Sequence, residues 1–152
     1  MQKHIKFLKN QKGMTLVELL AVLVILGIIA AIAVPMIGNI INDSKDKAIL
    51  ADAQTILSGA KVAQANGEGK KNETKGTIIF NKDVLQNYVD GVTLEDGDRV
   101  TYKPPTGTDT EGTWTVTFSK FNDIKKPSKY GLKENSTSIT GEKLSEALKG
   151  KN

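Results

Sequence analysis

Residues 12–35 read "KGMTLVELLAVLVILGIIAAIAVP", and the fold turns on how this stretch is read. From Leu19 to Asn42 the chain runs 24 residues without a charge. As a helix rising about 1.5 Å per residue it spans roughly 36 Å, enough to cross a hydrocarbon core of about 30 Å. One acid, Glu18, stands at its head. A carboxylate in hydrocarbon costs about 2.5–3.5 kcal/mol on insertion scales, so a chain that keeps one there implies a partner for it. Gly27 and Pro35 are the weak points of the run. Pro35 cannot donate to the carbonyl of Ala31, so a bend or local opening is expected near it, and Gly27 adds backbone freedom earlier.

Upstream lies a short basic head, "MQKHIKFLKNQKG", with Lys3, Lys6, Lys9 and Lys12 and no acid. Taking these four from the 21 Lys and Arg leaves 17, against 17 Asp and Glu, so the net charge of +4 belongs to the head and residues 14–152 are formally neutral. The basic pI therefore does not argue for a nucleic-acid-binding body. The chain has no cysteine, and its single histidine, His4, lies in the head. Residues 14–152 thus lack the imidazole proton shuttle, the thiol nucleophile, the usual zinc ligands and any disulfide. No glycine-rich phosphate loop or nucleophile elbow is present, and an enzyme is not expected.

Downstream, Ile49, Ala53, Ile56, Ala60 and Ala63, flanked by Leu57, recur at helical spacing, with Lys45, Asp52 and Lys61 away from the stripe. Asn66-Gly67 reads as a C-cap. One helix is expected from about Met14 to about Ala65, apolar all round in its first half and amphipathic in its second. "GEGKKNETKG" reads as a polar loop, and Asn81 as the N-cap of a short helix over 82–89. "VTLEDGDRVTY" suggests a hairpin; a three-residue connection over 96–98 pairs Leu94 with Val100 and Val92 with Tyr102, matching faces better than a two-residue Asp96-Gly97 turn. "TWTVTFSKF" alternates cleanly, with Trp114, Val116 and Phe118 on one side. The tail ends in "TGEKLSEALKG", a short helix capped by Thr140. The expected fold class is α+β: a long N-terminal helix whose second half packs on an antiparallel sheet of about three strands. The expected organisation is 1–13 head, 14–42 apolar helix and 43–152 globular domain.

Three readings of the N-terminus compete. A secretory signal would be cut after "AIA" at 31–33, but Glu18 interrupts its core and the apolar run continues past the cut. A single-pass anchor oriented by the four lysines explains length and topology but not Glu18. The third reading rests on the whole motif. "KGMTLVELLAVLVILGIIAAIAVP" resembles the N-terminal signature of type IV prepilins and pseudopilins. That resemblance implies a type IV pilin-like fold and cleavage between Gly13 and Met14 by a membrane-embedded prepilin peptidase. It also implies N-methylation of Met14, which departs from the usual Phe, and an assembly role for Glu18, Gly27 and Pro35. The disulfide-closed C-terminal loop of many members is impossible here, so packing and hydrogen bonds must clamp that segment.

The resemblance implies a structural subunit, a major pilin, with no cofactor. It would be held in the cytoplasmic membrane as a single-pass precursor with its head outside, then extracted by an assembly platform and ATPase into a helical homopolymer, the extracellular pilus. Glu18 of one subunit would neutralise the Met14 amine of another. The alternatives are a pseudopilin of a type II secretion or competence (DNA-uptake) filament, and an anchored extracellular binding module that never polymerises. In the globular domain Asp96, Asp98 and Asp109 are candidate calcium ligands without a fixed ligand spacing. Lys120, Lys125, Lys126, Lys129 and Lys133 with Phe121 and Tyr130 could face DNA, but direct DNA binding is not expected and the lysines read as a solvated face. Trp114 and Tyr102 read as sheet core, and Asn72 and Asn135 open matches to the glycosylation sequon.

Overall fold

The computed structural model describes the backbone of residues 2–150 and the side chains of residues 15–150. It divides into two compact units, Met1–Ile41 and Asn42–Asn152. Helix α1 (Gln2–Ala65) supplies residues to both and is unbroken at Gly27 and Pro35. The local opening expected near Pro35 does not occur, because one missing donor forfeits a single hydrogen bond and the flanking turns retain theirs. In the first unit the apolar side chains from Leu16 to Ile41 are solvent-exposed almost throughout.

In the second unit α1 buries Leu50, Ala53, Ile56, Leu57, Ala60 and Ala63, while Ile49 sits at the edge of the core. The helix ends where Asn66-Gly67 predicts. Gly67 is left-handed at φ 77°, Glu68 N–H reaches Ala63 O at 2.9 Å and Gly67 N–H reaches Gln64 O at 2.9 Å, the paired bonds of a Schellman stop.

Five antiparallel strands follow in spatial order β1 (Lys70–Asn72), β2 (Thr77–Asn81), β3 (Arg99–Lys103), β4 (Thr113–Thr117) and β5 (Ser138–Thr140). Directly opposed residues carry one apolar row across four of them: Phe80, Val100, Val116 and Ile139. All four are buried in the same core cluster as the α1 stripe. Beside that row Ile78, Tyr102 and Trp114 form a second, half-buried one.

The sheet therefore has five strands rather than about three, and the expected hairpin is corrected. Residues 92–95 form no strand; β3 pairs with β2, inside a stretch that carried no strand expectation. The connection is the two-residue turn at Asp96-Gly97, with Gly97 at φ 101°, and not the three-residue loop. Asp98 N–H bonds Glu95 O at 3.1 Å and the Asp98 carboxylate takes Glu95 N–H at 2.8 Å, so both polar groups of Glu95 are committed to the turn. "TIIFN" then offers β3 a better apolar partner, placing Phe80 opposite Val100.

Asn81 caps α2 (Lys82–Leu85), its side chain accepting from Val84 N–H at 3.4 Å. The expected helix over 82–89 stops after one turn, with Asn87 and Tyr88 N–H groups tightening onto Val84 and Leu85 carbonyls. Tyr88 and Val89 then pack against Gly59 of α1, where a Cβ would stand 2.5 Å from Val89 Cγ2. Helix α3 (Gly141–Leu148) is capped by Thr140, as expected, and buries Leu144 and Ala147.

Candidate functional site

The first candidate site is the apolar length of α1. From Leu16, 68 % exposed, through Leu23, 66 %, to Ile40, 60 %, its side chains are exposed. The helix is long and apolar enough to cross a membrane. A contiguous apolar surface this large on an otherwise folded chain marks contact with lipid or with other proteins. Glu18 lies on it, exposed, and no described residue forms an ion pair with it. A Cβ added at Gly27 or at Gly38 would meet nothing within 4 Å. These glycines are thus not required by packing within the chain, in contrast to Gly59. Pro35 lies inside the helix on the same surface. Gly13 and Met14, the expected cleavage pair, lie outside the residues whose side chains are described.

The second site is a clamp on the C-terminal segment, and Asp46 is its centre. Asp46 sits one turn before Leu50 on the α1 stripe and is fully buried. Its carboxylate accepts from Lys125 N–H at 2.9 Å and from Lys126 N–H at 3.2 Å. One turn earlier Asp43 pairs with Lys126 Nζ at 3.2 Å and Lys129 Nζ at 3.0 Å. Hydrogen bonds from Lys129 and then Lys126 hold the Asp43 carboxyl below its usual range, and Asp43 in turn raises Lys129. Ile124, Tyr130 and Leu132 are buried around these contacts. Burial pushes the Tyr130 phenol up, and its hydroxyl has no hydrogen-bond partner among the described residues. The clamp that a disulfide cannot supply is therefore built from carboxylates on α1 and backbone amides some eighty residues later. The sequence signal for this clamp is a charge one turn before Leu50 on the stripe, although the amides that satisfy it are remote in sequence.

A second buried carboxylate, Asp98, plays the same part for the turn before β3. It accepts Ser119 N–H at 2.7 Å and Glu95 N–H at 2.8 Å, with Ser119 Oγ at 3.3 Å. Asp96 pairs with Lys82 at 3.0 Å, and Asp109 lies in the β3–β4 loop. The three calcium candidates are not brought together, and the described residues contain no group of three or more His, Cys, Asp or Glu suited to a metal ion. Within the lysine-rich tail Phe121 and Tyr130 are buried and Lys126 and Lys129 are engaged by Asp43, so the aromatics are not available for stacking on bases. Trp114 lies in the second apolar row but is only half-buried.

A family model described as the prokaryotic N-terminal methylation motif matches residues 8–34, the segment that carries Glu18 and Gly27. This is the N-terminal segment in which the chain is similar to type IV pilins. A fimbrial protein of Neisseria meningitidis serogroup A / serotype 4A (strain DSM 15465 / Z2491) is 33 % identical over 92 residues, covering 57 % of this chain and 52 % of that protein. A fimbrial protein of N. meningitidis serogroup B (strain ATCC BAA-335 / MC58) is 32 % identical over 92 residues with the same coverage. The chain thus spans about half the length of the curated relatives it matches. No solved structure matches it. The α+β arrangement of a long apolar helix and a small antiparallel sheet is consistent with a type IV pilin fold.

Proposed function

We propose that this protein is a structural subunit of a type IV pilus, and a major one, with no catalytic role. One observation carries the reading: the methylation motif coincides with a helix whose described apolar side chains are exposed. Before assembly, residues 14–42 hold the precursor in the cytoplasmic membrane with residues 43–152 outside. A prepilin peptidase cuts between Gly13 and Met14, Met14 is N-methylated, and an assembly platform with its ATPase draws the subunit into a helical homopolymer. The same apolar surface passes from lipid to protein, so little hydrophobic energy changes. Close packing of small residues and pairing of the few charges then determine the fit. A secretion or competence pseudopilus would use the same segment; the two relatives named fimbrial proteins favour the pilus.

N-terminal sequencing of the mature protein tests the processing step. The expected first residue is methylated Met14. A start at Val34 would instead mean a secretory signal, and an intact residue 1 a plain anchor. Imaging the cell surface with and without the gene tests the filament, which must disappear when a major subunit is lost.

A further inference from the structure

The carboxylate clamp gathers more positive charge than it uses. Asp43 is the first charged residue after the apolar run, following Asn42 directly within α1. Its carboxylate binds two ammonium groups, Lys126 Nζ at 3.2 Å on one oxygen and Lys129 Nζ at 3.0 Å on the other. Lys129 Nζ also stands 5.6 Å over the Tyr130 ring. One carboxylate cannot neutralise two cations, and each ammonium keeps two N–H donors beyond its bond to Asp43. Both side chains remain accessible, 43 % and 40 % exposed. Lys125, whose amide binds Asp46, is exposed beside them and forms no side-chain ion pair among the described residues. Lys45 and Lys47 are exposed on the same turns of α1. These five lysines and the nearby acids Asp43, Asp46 and Asp123 sum to +2. The whole of residues 43–152, with 17 Lys and Arg against 16 Asp and Glu, sums to +1. The positive excess of the globular unit is therefore concentrated where its helix leaves the apolar run.

Position selects the ligand. With residues 14–42 in the membrane, Asp43 stands where hydrocarbon gives way to headgroups, and its contacts hold the Lys126 and Lys129 ammonium groups at that same level. The anion present there is the phosphate of a phospholipid. Asp43 and Tyr130 have already ordered the two long side chains, so binding costs little further side-chain freedom. The surplus charge disfavours the cation that a zwitterionic headgroup carries next to its phosphate. We infer that Lys126 and Lys129, with Lys125 adding charge, bind the phosphate of an anionic phospholipid in the leaflet on the side of the globular unit. The inference rests on the membrane-held precursor of the proposed function and not on polymerisation. Extraction into a filament has to break this contact, so the lipid favours the membrane-held pool.

The full chain, with residues 1–13 and their lysines common to every sample, is reconstituted in phosphatidylcholine vesicles containing a trace of spin-labelled phosphatidylglycerol or spin-labelled phosphatidylcholine. The protein-bound fraction should favour phosphatidylglycerol, and high salt should weaken the preference. Lys126→Gln/Lys129→Gln should lower it about threefold or more and Lys125→Gln about twofold, while Lys126→Arg/Lys129→Arg keeps it. Lys70→Gln/Lys71→Gln, on strand β1, should leave it unchanged. Melting followed by the emission of Trp114, the chain's one tryptophan, separates lost binding from a lost fold. Lys125→Gln removes no described ion pair and decides the matter if the double variant unfolds. The inference is overturned if the two labels are retained equally, if Lys125→Gln and the double variant leave the preference intact, if the β1 pair lowers it as much, or if millimolar inorganic phosphate abolishes it, which would mark a site for a soluble anion. A chain that does not float with the vesicles overturns the membrane reading itself, and this inference with it.

Discussion

Asp46 places a buried charge at the head of an apolar stripe, and this is stable only because the carboxylate receives two backbone N–H groups. The amides of Lys125 and Lys126 have no other acceptor at that point, so the carboxylate and the segment satisfy each other. Asp46→Ala should therefore cost about 2–4 kcal/mol, since it leaves buried donors unpaired as well as a small void. Asp46→Asn, which keeps one acceptor oxygen, should cost roughly half as much; urea denaturation of the full chain in detergent reads both. Asp43 makes a different prediction because it is only half-buried and acts through its charge. Its folded pKa lies below the ordinary 3.8 of an aspartate, so its contribution is complete above that pH and disappears as pH falls through the depressed folded value. The stability gap between the unmodified protein and Asp43→Asn should be present at neutral pH and close on acidification below about pH 4. A gap that stayed constant across that range would show that the ion pairs with Lys126 and Lys129 do not support the fold.

At the scale of elements, the three glycines within α1's apolar and amphipathic lengths separate packing inside the chain from packing reserved for others. Gly59→Ala gains about 1 kcal/mol of helix propensity, yet its Cβ would stand 2.5 Å from Val89 Cγ2 and 3.1 Å from the Tyr88 carbonyl. A β-branched side chain and a backbone oxygen yield poorly, so the net effect should be a loss of about 1–2 kcal/mol in a denaturation experiment. Gly27→Ala meets nothing and should raise helicity by circular dichroism without lowering the melting point, while reducing filament yield if subunits approach closely there. The same contrast explains what could be read in the sequence. The α1 stripe, its Asn66-Gly67 stop, the Asn81 and Thr140 caps and β4 each follow from residues within a few positions of one another. Strands β1 and β5 do not: "KKN" carries two lysines and no alternation, as an edge strand protected by charge does, and becomes a strand only through its pairing with β2. Likewise Glu18 was legible because a local rule makes an acid in an apolar run anomalous. The amides that satisfy Asp46 lie eighty residues away and could not be inferred.

For the whole molecule the decisive quantity is the fate of one carboxylate. Glu18 stands on an apolar surface with no ion-pair partner among the described residues, and cleavage after Gly13 would create a single cation, the Met14 amine, four positions before it. In a lipid-embedded monomer both groups, at the end of the apolar run, would reach toward the headgroups, where solvation lowers the cost of an unpaired charge. In a filament core water is excluded, and an unpaired member of such a pair costs about 3–5 kcal/mol, whereas a matched pair roughly breaks even. Such a pair would act on register: it would leave correct assembly nearly neutral and penalise every axial offset that separates the charges. Glu18→Ala should insert in the membrane, lose residues 1–13 and gain its methyl group at normal rates, yet reduce surface filaments by about tenfold or more, because each incoming amine is stranded. Glu18→Asp, one methylene shorter, should restore filaments only in part. Mass spectrometry of the membrane-held pool distinguishes this from failed processing: mature protein that accumulates without polymerising supports the pairing, uncut precursor assigns Glu18 to the peptidase, and abundant normal filaments remove it from assembly altogether.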